Sequence, residues 1–578
     1  MSQTGSFKAL REKIILRDVD KAAAQKLADE LSIPLAAASI LAGRRLTTYD
    51  QCKNFFRSKL DNFHDPFIFK DMEKAAARVK QAIDNGEKIV IYGDYDVDGV
   101  TSTALVIRVL KRLGCNCDYY LPNRLTEGYG MSETGVRHAA ESGAALIITV
   151  DCGVTACKEA ELASSLGMDV IITDHHEPKD GLPAAVAVIN PKLHDCPYPD
   201  KSLAGVGIAL KLCQAIGKFM GRGSDLWSDL LDLAALGTAA DIVPMTGESR
   251  IITALGFELI QNSAVTGLKA LIEAQGLTGK RLSTSQVVFQ LAPCINAVGR
   301  LGDPGRGVEL LLTEDPALAA VYARELKEAN LSRRALDSLV AEEAFKWVEA
   351  NCTPENDYGL VAANSDWHVG VIGIVASKVV ERFSRPSILI SIGEDGLAKG
   401  SGRSVSGFHL LDALNDCKDI LESYGGHAAA AGLSLQANRI DAFREKFNAA
   451  VKSKTTIENL APRVTADIEV SIDELTPKLL RIINQMEPFG PSNMRPVLLC
   501  RGLKHRYPPK IVGQKHLKLS LTNGSIVMDA IAFGMGGRFT EARNAKSVNV
   551  AFALEENEWN GKVSLQMNVK GMECAGET

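Results

Sequence analysis

The chain has 578 residues, 46% of them hydrophobic and 23% charged, with a formal net charge of −5. Such a length and apolar fraction exclude a disordered segment or a single small module and predict roughly three to five domains. No run of about 18 apolar residues occurs and the N-terminus is polar, without a signal-peptide core, so a soluble cytoplasmic protein with no membrane span is expected.

Residues 1–75 read as mostly helical, with an alanine-rich segment at 35–41, and are expected to pack on the domain that follows. From residue 88 the pattern changes: 88–92 (KIVIY), 145–150 (ALIITV) and 170–173 (VIIT) are short, β-branched and bounded by polar residues, as buried strands are. Helical patterns at 100–113 and 156–166 lie between them, which makes a β-α-β-α alternation and a parallel sheet. Each strand runs into acidic or imidazole residues: GDYDVDG (93–99), VDCG (150–153) and TDHHE (173–177), with GTAAD (237–241) later. Ligands of such sheets bind beyond the carboxyl ends of the strands. Asp96, Asp98, Asp151, Asp174, His175, His176 and Asp241 are therefore expected to crowd one crevice.

So many carboxylates repel one another unless cations neutralise them. Oxygen-rich ligation with one or two imidazoles suits Mn²⁺ or Mg²⁺ better than Zn²⁺. Two such ions about 3.5 to 4 Å apart are the usual arrangement for in-line hydrolysis of a phosphodiester. Each motif alone has a plainer reading. Asp94, Asp96 and Asp98 before Gly99 could form an acidic turn or a calcium loop, but the twelfth position counted from Asp94 is Leu105 and not a glutamate. Asp151 could be a helix N-cap, and the adjacent His175 and His176 point different ways, so at most one is expected to be a direct ligand. Their joint placement at strand ends favours a metal-dependent phosphoesterase.

Beyond the first domain, 317–350 is amphipathic: Ala319, Tyr322, Leu326 and Ala329 share one helix face. A helical connector, interrupted or bent near Asn330, is expected. A second α/β lobe follows, with strands at 359–363 and 387–392 and a helix at 370–382, and a polar linker at 453–458. The negative net charge argues against DNA binding only until its distribution is examined. Residues 488–528 contain no Asp or Glu but carry Arg495, Arg501, Lys504, Arg506, Lys510, Lys515 and Lys518. Five short strands are expected at 496–500, 517–521, 525–533, 547–553 and 562–569, which suits an OB-fold barrel that holds single strands through Arg501, Lys504, Arg506 and Lys515. Tyr507 and Phe533 are candidate base-stacking rings. The 12 cysteines show no CxxC pair, so free buried thiols are expected, with neither zinc nor disulfide.

The ordered set GDYDVDG, VDCG, DHH and GTAAD resembles the DHH phosphoesterase family. PNRLTEGYG (122–130), LAGVGIA (203–209), INAVGRL (295–301), DWHVGVIGIVASKVVERF (366–383), GSGRS (400–404), GGHAAAAG (425–432) and PFGPSN (488–493) resemble its RecJ branch of single-strand-specific 5′→3′ DNA exonucleases. The resemblance implies a fold and a division of the chain: an N-terminal segment 1–75, a parallel-sheet DHH catalytic domain 76–316, a long helical connector 317–355, an α/β DHHA1 domain 356–452 and a β-barrel OB-fold domain 453–578. It implies that Asp96, Asp98, Asp151, His175 and Asp241 bind two divalent metal ions, Mn²⁺ or Mg²⁺, with Asp151 bridging and Asp94 a further ligand or an outer acceptor. His176 would face the scissile phosphate as a transition-state donor, and Asp174 would orient an imidazole. Arg124, Ser401 and Arg403 would grip a 5′ terminal phosphate, Arg300 would touch the backbone near the cut, and His427 would lie against the substrate. An entrance between the lobes wide enough for one strand would exclude duplex. The implied function is stepwise hydrolysis of single-stranded DNA in recombination and repair, by a monomer acting with single-strand-binding protein and a RecQ-type helicase. The alternatives are an oligoribonuclease or a small-phosphate phosphodiesterase of the same family, and a non-catalytic single-strand-binding scaffold.

Overall fold

A computed structural model describes residues 10–577 apart from 125, 180, 302 and 560. The chain folds into two compact units, Asp50–Ser332 with Gln485–Arg495, and Met1–Tyr49 with Arg333–Asn484 and Pro496–Thr578. Strand β1 (Lys13–Leu16) opens the latter.

In the first unit β2 (Lys88–Tyr92), β3 (Cys117–Tyr120), β4 (Ala144–Val150), β5 (Asp169–Thr173) and β6 (Ala187–Ile189) form one sheet in the order β3-β2-β4-β5-β6. All four pairings are parallel. The chain leaves β2 to one side for β3 and returns on the other side as β4, so the switch of direction falls between β2 and β4. That is where a sheet of this kind opens a crevice. The helix Val97–Arg112 that follows β2 is buried along almost its whole length, Asp98 included, because the helices Gly205–Phe219 and Leu231–Ala240 pack on it. Leu231–Ala240 (LDLAALGTAA) is apolar on nearly every face, and each of its residues from Leu231 to Ala239 is buried. Its C-terminal end carries Asp241.

Helix Pro316–Asn351 is continuous over 36 residues, without the expected interruption at Asn330. Asn330 is buried and its side-chain amide lies 3.5 Å from Cys294 Sγ. A polar residue that reads as a break is here an internal hydrogen-bonding partner, so the helix passes through it.

In the second unit β7 (Leu360–Asn364), β8 (Ser387–Ile392), β9 (Leu397–Arg403), β10 (Ser423–Gly426) and β11 (Ala430–Gln436) form a sheet in the order β10-β11-β9-β8-β7, parallel only between β7 and β8. Alternate residues feed two cores, as the pleat dictates. Leu360, Ala362 and Leu389 pack against Val371, Val375 and Phe383 of helix Val369–Phe383, whereas Val361, Ile388 and Ile390 pack with Phe443 and Phe447 of helix Ile440–Lys454.

Two short strands, β12 (Arg463–Ala466) and β13 (Ile468–Glu469), lead to the barrel. Its staves are β14 (Leu498–Val512), β15 (His516–Thr522), β16 (Val527–Ala532), β17 (Ala545–Trp559) and β18 (Lys562–Glu577). They run β14-β15-β16-β18-β17, and pairing of β17 with β14 closes the ring. This is the expected five-stranded OB-fold. The first stave runs well past the expected 496–500. Pro508 and Pro509, within it, are absorbed by register shifts around Tyr507.

Residues 10–49 group with this unit and 50–75 with the one that holds the parallel sheet, where 1–75 as a whole were expected to pack on the catalytic domain. The reason is an open strand edge: β1 pairs in parallel with β12 over Lys13–Leu16. Glu12 accepts from Arg538 and from the Met572 amide at 3.1 Å, and Arg17 meets Asp467 at 3.6 Å. Among the described residues no helix is long and apolar enough to cross a membrane, and the twelve cysteines are all free thiols.

Candidate metal centre and nucleic-acid contacts

The ends of β2, β4 and β5 deliver their acidic residues to one place. After β2, Asp96 caps the following helix: its Oδ1 accepts from the Asp98 and Gly99 amides at 2.9 and 3.1 Å. Asp98, two residues on, is 2% exposed and accepts from the Gly205 and Val206 amides at 2.7 and 2.8 Å. These are the first N–H groups of helix Gly205–Phe219, free because a helix start has no internal acceptor for them. The LAGVGIA motif thus holds Asp98, and it can do so only as glycine. A Cβ on Gly205 would lie 2.6 Å from Asp151 Cβ and Oδ1. Gly205→Ala is therefore expected to displace Asp151, weakening Mn²⁺ binding by about tenfold or more and lowering stability by about 1–3 kcal/mol. Calorimetric Mn²⁺ titration and thermal denaturation of the variant check both.

Asp151 itself has φ of 62°, a left-handed conformation that non-glycine residues seldom adopt. It follows β4 and presents a buried Oδ1 that has no hydrogen-bond partner. His175 Nε2 faces that oxygen at 3.2 Å, and His175 Nδ1 stands 3.7 Å from Asp241 Oδ2. His175 Nε2, Asp241 Oδ2 and Asp94 Oδ1 are likewise buried without hydrogen-bond partners. Orphaned acceptors of this kind are costly unless something else satisfies them.

The ligating atoms of Asp94, Asp96 and Asp151 lie within 4.8 Å of one another, as do those of Asp98, His175 and Asp241, and those of Asp151, His175 and His176. Asp151 and His175 each belong to two of these sets. Electrostatics point the same way. Burial, then the neighbouring aspartates, pushes Asp98 up to about 7 and Asp241 up to about 9. Asp94 and Asp151 rise well above the ordinary carboxylate range for the same reasons. Burial pushes His175 down to about 3, which leaves it as the neutral imidazole that ligates metals. Asp94, Asp98, Asp151 and Asp241 thus all favour a proton where a divalent ion would serve. The donor set, mostly oxygen with one or two imidazoles, fits Mn²⁺ or Mg²⁺.

Asp174 differs from its neighbours. Its Oδ1 accepts from the His175 and His176 amides at 2.7 and 3.0 Å and lies 2.8 Å from His176 Nδ1, while Oδ2 accepts from the Val154 amide at 2.8 Å. Both oxygens are engaged, and it belongs to none of the three ligand sets among the described residues. Burial works to raise it, but the bonds to His176 and the backbone outweigh that and hold it below the usual carboxylate range. His176 is also tied at its carbonyl, which accepts from Asn190 Nδ2 at 2.9 Å.

The arginines singled out from sequence fall around this centre in part. The Arg124 guanidinium lies over the Tyr95 ring, 5.1 Å from its centroid. Arg300 is on helix Ala292–Leu301, which reaches the same place: Asn296 Oδ1 accepts from the Val97 amide at 3.1 Å, and a Cβ on Gly299 would lie 2.7 Å from the Tyr95 carbonyl. In the other unit Ser401 and Arg403 occupy alternate positions of β9, with Arg403 Nη1 3.2 Å from Ser401 Oγ. Gly373 of helix Val369–Phe383 lets them fit, since its Cβ would stand 2.9 Å from Ser401 Oγ. Registry sets Arg403 opposite Ala430 of β11, and the β10–β11 turn carries exposed His427. GSGRS and GGHAAAAG, 25 residues apart at their first glycines, are thus sheet neighbours.

On the barrel Lys504, Arg506 and Lys515 are exposed, whereas Arg501 is paired with Glu469 at 3.0 Å. Tyr507 and Phe533 are 60% and 55% exposed, so neither ring is core. Reading the sequence residue by residue misses Tyr129, whose hydroxyl touches both Asp151 and His176, and the amides of Gly205 and Val206, although PNRLTEGYG and LAGVGIA contain them.

Comparison with known proteins follows the same lines. The model of the DHH family, N-terminal domain, matches residues 88–238, the DHHA1 domain 356–453 and the RecJ OB domain 466–571. The single-stranded-DNA-specific exonuclease RecJ of Bacillus subtilis is 39% identical over 563 residues, which covers 97% of this chain and 70% of that protein. The crystal structure of RecJ from Thermus thermophilus in complex with Mn²⁺ matches with a TM-score of 0.84 at 28% identity, over 98% of this chain and 80% of that one. The same protein in complex with Mg²⁺ matches with a TM-score of 0.78 at 27% identity, over 98% and 79%. In its motifs, fold and identity the chain belongs to the RecJ family.

Proposed function

We propose that the chain is a metal-dependent exonuclease that hydrolyses single-stranded DNA from its 5′ end to mononucleotides, in DNA recombination and repair. The observation that carries this reading is the set of orphaned donor atoms gathered in one place, Asp94 Oδ1 after β2, Asp151 Oδ1 after β4, His175 Nε2 after β5 and Asp241 Oδ2 at a helix end, in a chain whose relatives are named single-stranded-DNA-specific exonucleases. Bound Mn²⁺ or Mg²⁺ would supply charge neutralisation and an activated water for in-line attack.

The protein's part is to hold and orient. Asp94, Asp96 and Asp151 form one ligand set and Asp98, His175 and Asp241 the other, with Asp151 shared through its contact with His175. Asp174 is an orienting acceptor. His176, fixed by Asp174, faces the scissile phosphate and donates to it. Arg300 contacts the backbone beside the cut, and Arg124 binds the 5′ terminal phosphate. Ser401, Arg403 and His427 take a terminal phosphate, the arginine in bidentate fashion. Lys504, Arg506 and Lys515 with Tyr507 and Phe533 hold the strand on the barrel by charge and stacking, and Arg501 joins them by exchanging Glu469 for phosphate. The barrel favours a polymer over a dinucleotide or a small phosphate as substrate. Family membership supports action as a cytoplasmic monomer beside single-strand-binding protein and a RecQ-type helicase.

The test is product release from 5′-labelled and 3′-labelled single-stranded DNA, with duplex and RNA controls, in Mn²⁺ and in Mg²⁺. Labelled mononucleotide appearing first from the 5′ label, on single-stranded DNA alone, is the expected result. Trimming of short RNA in its place would transfer the metal centre to another substrate. Arg403→Ala is expected to raise KM about tenfold for a 5′-phosphorylated strand and to erase its advantage over a 5′-hydroxyl strand. An unchanged preference would remove Arg403 from the terminal site.

A further inference from the structure

Tyr129 is 51% exposed, yet its hydroxyl is fully engaged. It donates to the Asp151 carbonyl at 3.0 Å and lies 2.9 and 3.2 Å from Nδ1 and Nε2 of His176. A phenol has one proton. With that proton given to the carbonyl, the hydroxyl oxygen is left to share the Nδ1–H of His176 with Asp174, which keeps Nε2–H for the phosphate, so one atom ties the backbone of a metal-site aspartate to the ring of His176.

The ring of Tyr129 is itself held. Gly128 and Gly130 on either side both have φ of 85°, a left-handed bend that only glycine adopts freely. The ring meets His176 edge-on with centroids 5.3 Å apart, and Tyr95 edge-on at 6.5 Å. Tyr95 in turn lies under the Arg124 guanidinium. His176 needs such a brace. Its side chain is 43% exposed and Asp174 grips only Nδ1, which fixes one edge of the ring and leaves rotation about that bond.

We infer that Tyr129 is a positioning residue that fixes the imidazole of His176 against the Asp151 backbone and so sets the aim of the donor toward the scissile phosphate. The inference rests on the reading of His176 given above. Misplacing a reacting group by about 1 Å costs on the order of 100-fold, and a phenylalanine keeps the ring packing while removing the tether.

The experiment is a double-mutant cycle on the full chain with single-stranded DNA under single-turnover and steady-state conditions at saturating Mn²⁺, comparing wild type, Tyr129→Phe, His176→Ala and the double variant. Tyr129→Phe is expected to lower kcat by about 10- to 100-fold with KM changed by less than about threefold, and to have no further effect once His176 is alanine. Mn²⁺ affinity by calorimetry and the denaturation midpoint are expected to match wild type, which separates positioning from folding or metal loss. A silent Tyr129→Phe, an equal loss in the His176→Ala background, or a loss matched by weakened Mn²⁺ binding overturns the inference alone. Wild-type turnover by His176→Ala overturns the assignment of His176 and the inference with it.

Discussion

Asp151→Asn is expected to reduce hydrolysis of single-stranded DNA by about three orders of magnitude or more while leaving the metal-free protein at least as stable as wild type. The two effects have one cause. Asp151 belongs to the set with Asp94 and Asp96 and also faces His175 of the other set at 3.2 Å, so its loss weakens both sides of the centre. In the metal-free protein burial, and then Asp98, Asp96, Asp241 and Asp94 beside it, disfavour the ionised form of the same carboxyl, so a neutral amide of equal size removes that penalty and costs little packing. Asparagine is also, after glycine, among the residues that the left-handed backbone at φ 62° tolerates best. Thermal denaturation should show the second half of the result: the rise in midpoint that Mn²⁺ gives wild type should shrink or vanish in the variant. A variant that keeps more than about a tenth of the wild-type rate, or the full Mn²⁺-dependent shift, would mean that Asp151 is not shared between the sites.

The parallel sheet was legible because KIVIY, ALIITV and VIIT are short, mostly apolar and β-branched runs without polar alternation, as strands covered on both faces are. The barrel was legible from strand-like segments at turn spacing, although the bulges that carry β14 through Pro508 and Pro509 left no signal. Strands β9 to β11 were not legible at all. GSGRS and GGHAAAAG are built of glycine, alanine and serine, residues of poor strand propensity, and they form strands only because each pairs with the other. The N-terminal strand β1 has four residues and a partner in β12, far along the chain, so no local pattern could place it.

At the site the limit was different in kind. Spacing put Asp174, His175 and His176 at one strand end but could not rank them. Asp174 is set apart by the Val154 amide and by the two amides after it, and His175 by facing Asp151 and Asp241. Asp98 owes its position to helix Gly205–Phe219, 107 residues on. Local sequence names the donors, whereas the long-range partners decide which donor is free.

The raised carboxyl groups of this centre are expected to give the metal-free protein a stability that falls as pH rises, the reverse of an ordinary protein stabilised by ionised carboxylates. Asp98 and Asp241 ionise near 3.8 when unfolded but at about 7 and about 9 when folded. Between those values the folded state keeps protons that the unfolded state has released, so raising the pH favours unfolding. The stability linked to each group is complete below pH 3.8 and is lost as pH passes its folded value. His175 acts in the opposite sense between about 3 and 6.5, because it is neutral when folded and charged when unfolded. The clean window is therefore from about pH 6.5 to 9, where Asp241 alone is worth on the order of 3 kcal/mol. In chelator the denaturation midpoint is expected to fall steadily across that window, and in Asp241→Asn it should fall less. Saturating Mg²⁺ should flatten or invert the slope, since the ion replaces the protons and binds better as they leave. A metal-free midpoint that stays level or climbs from pH 6.5 to 9 would show that these carboxylates are already neutralised from within the protein, and would remove the electrostatic case for cations at this centre.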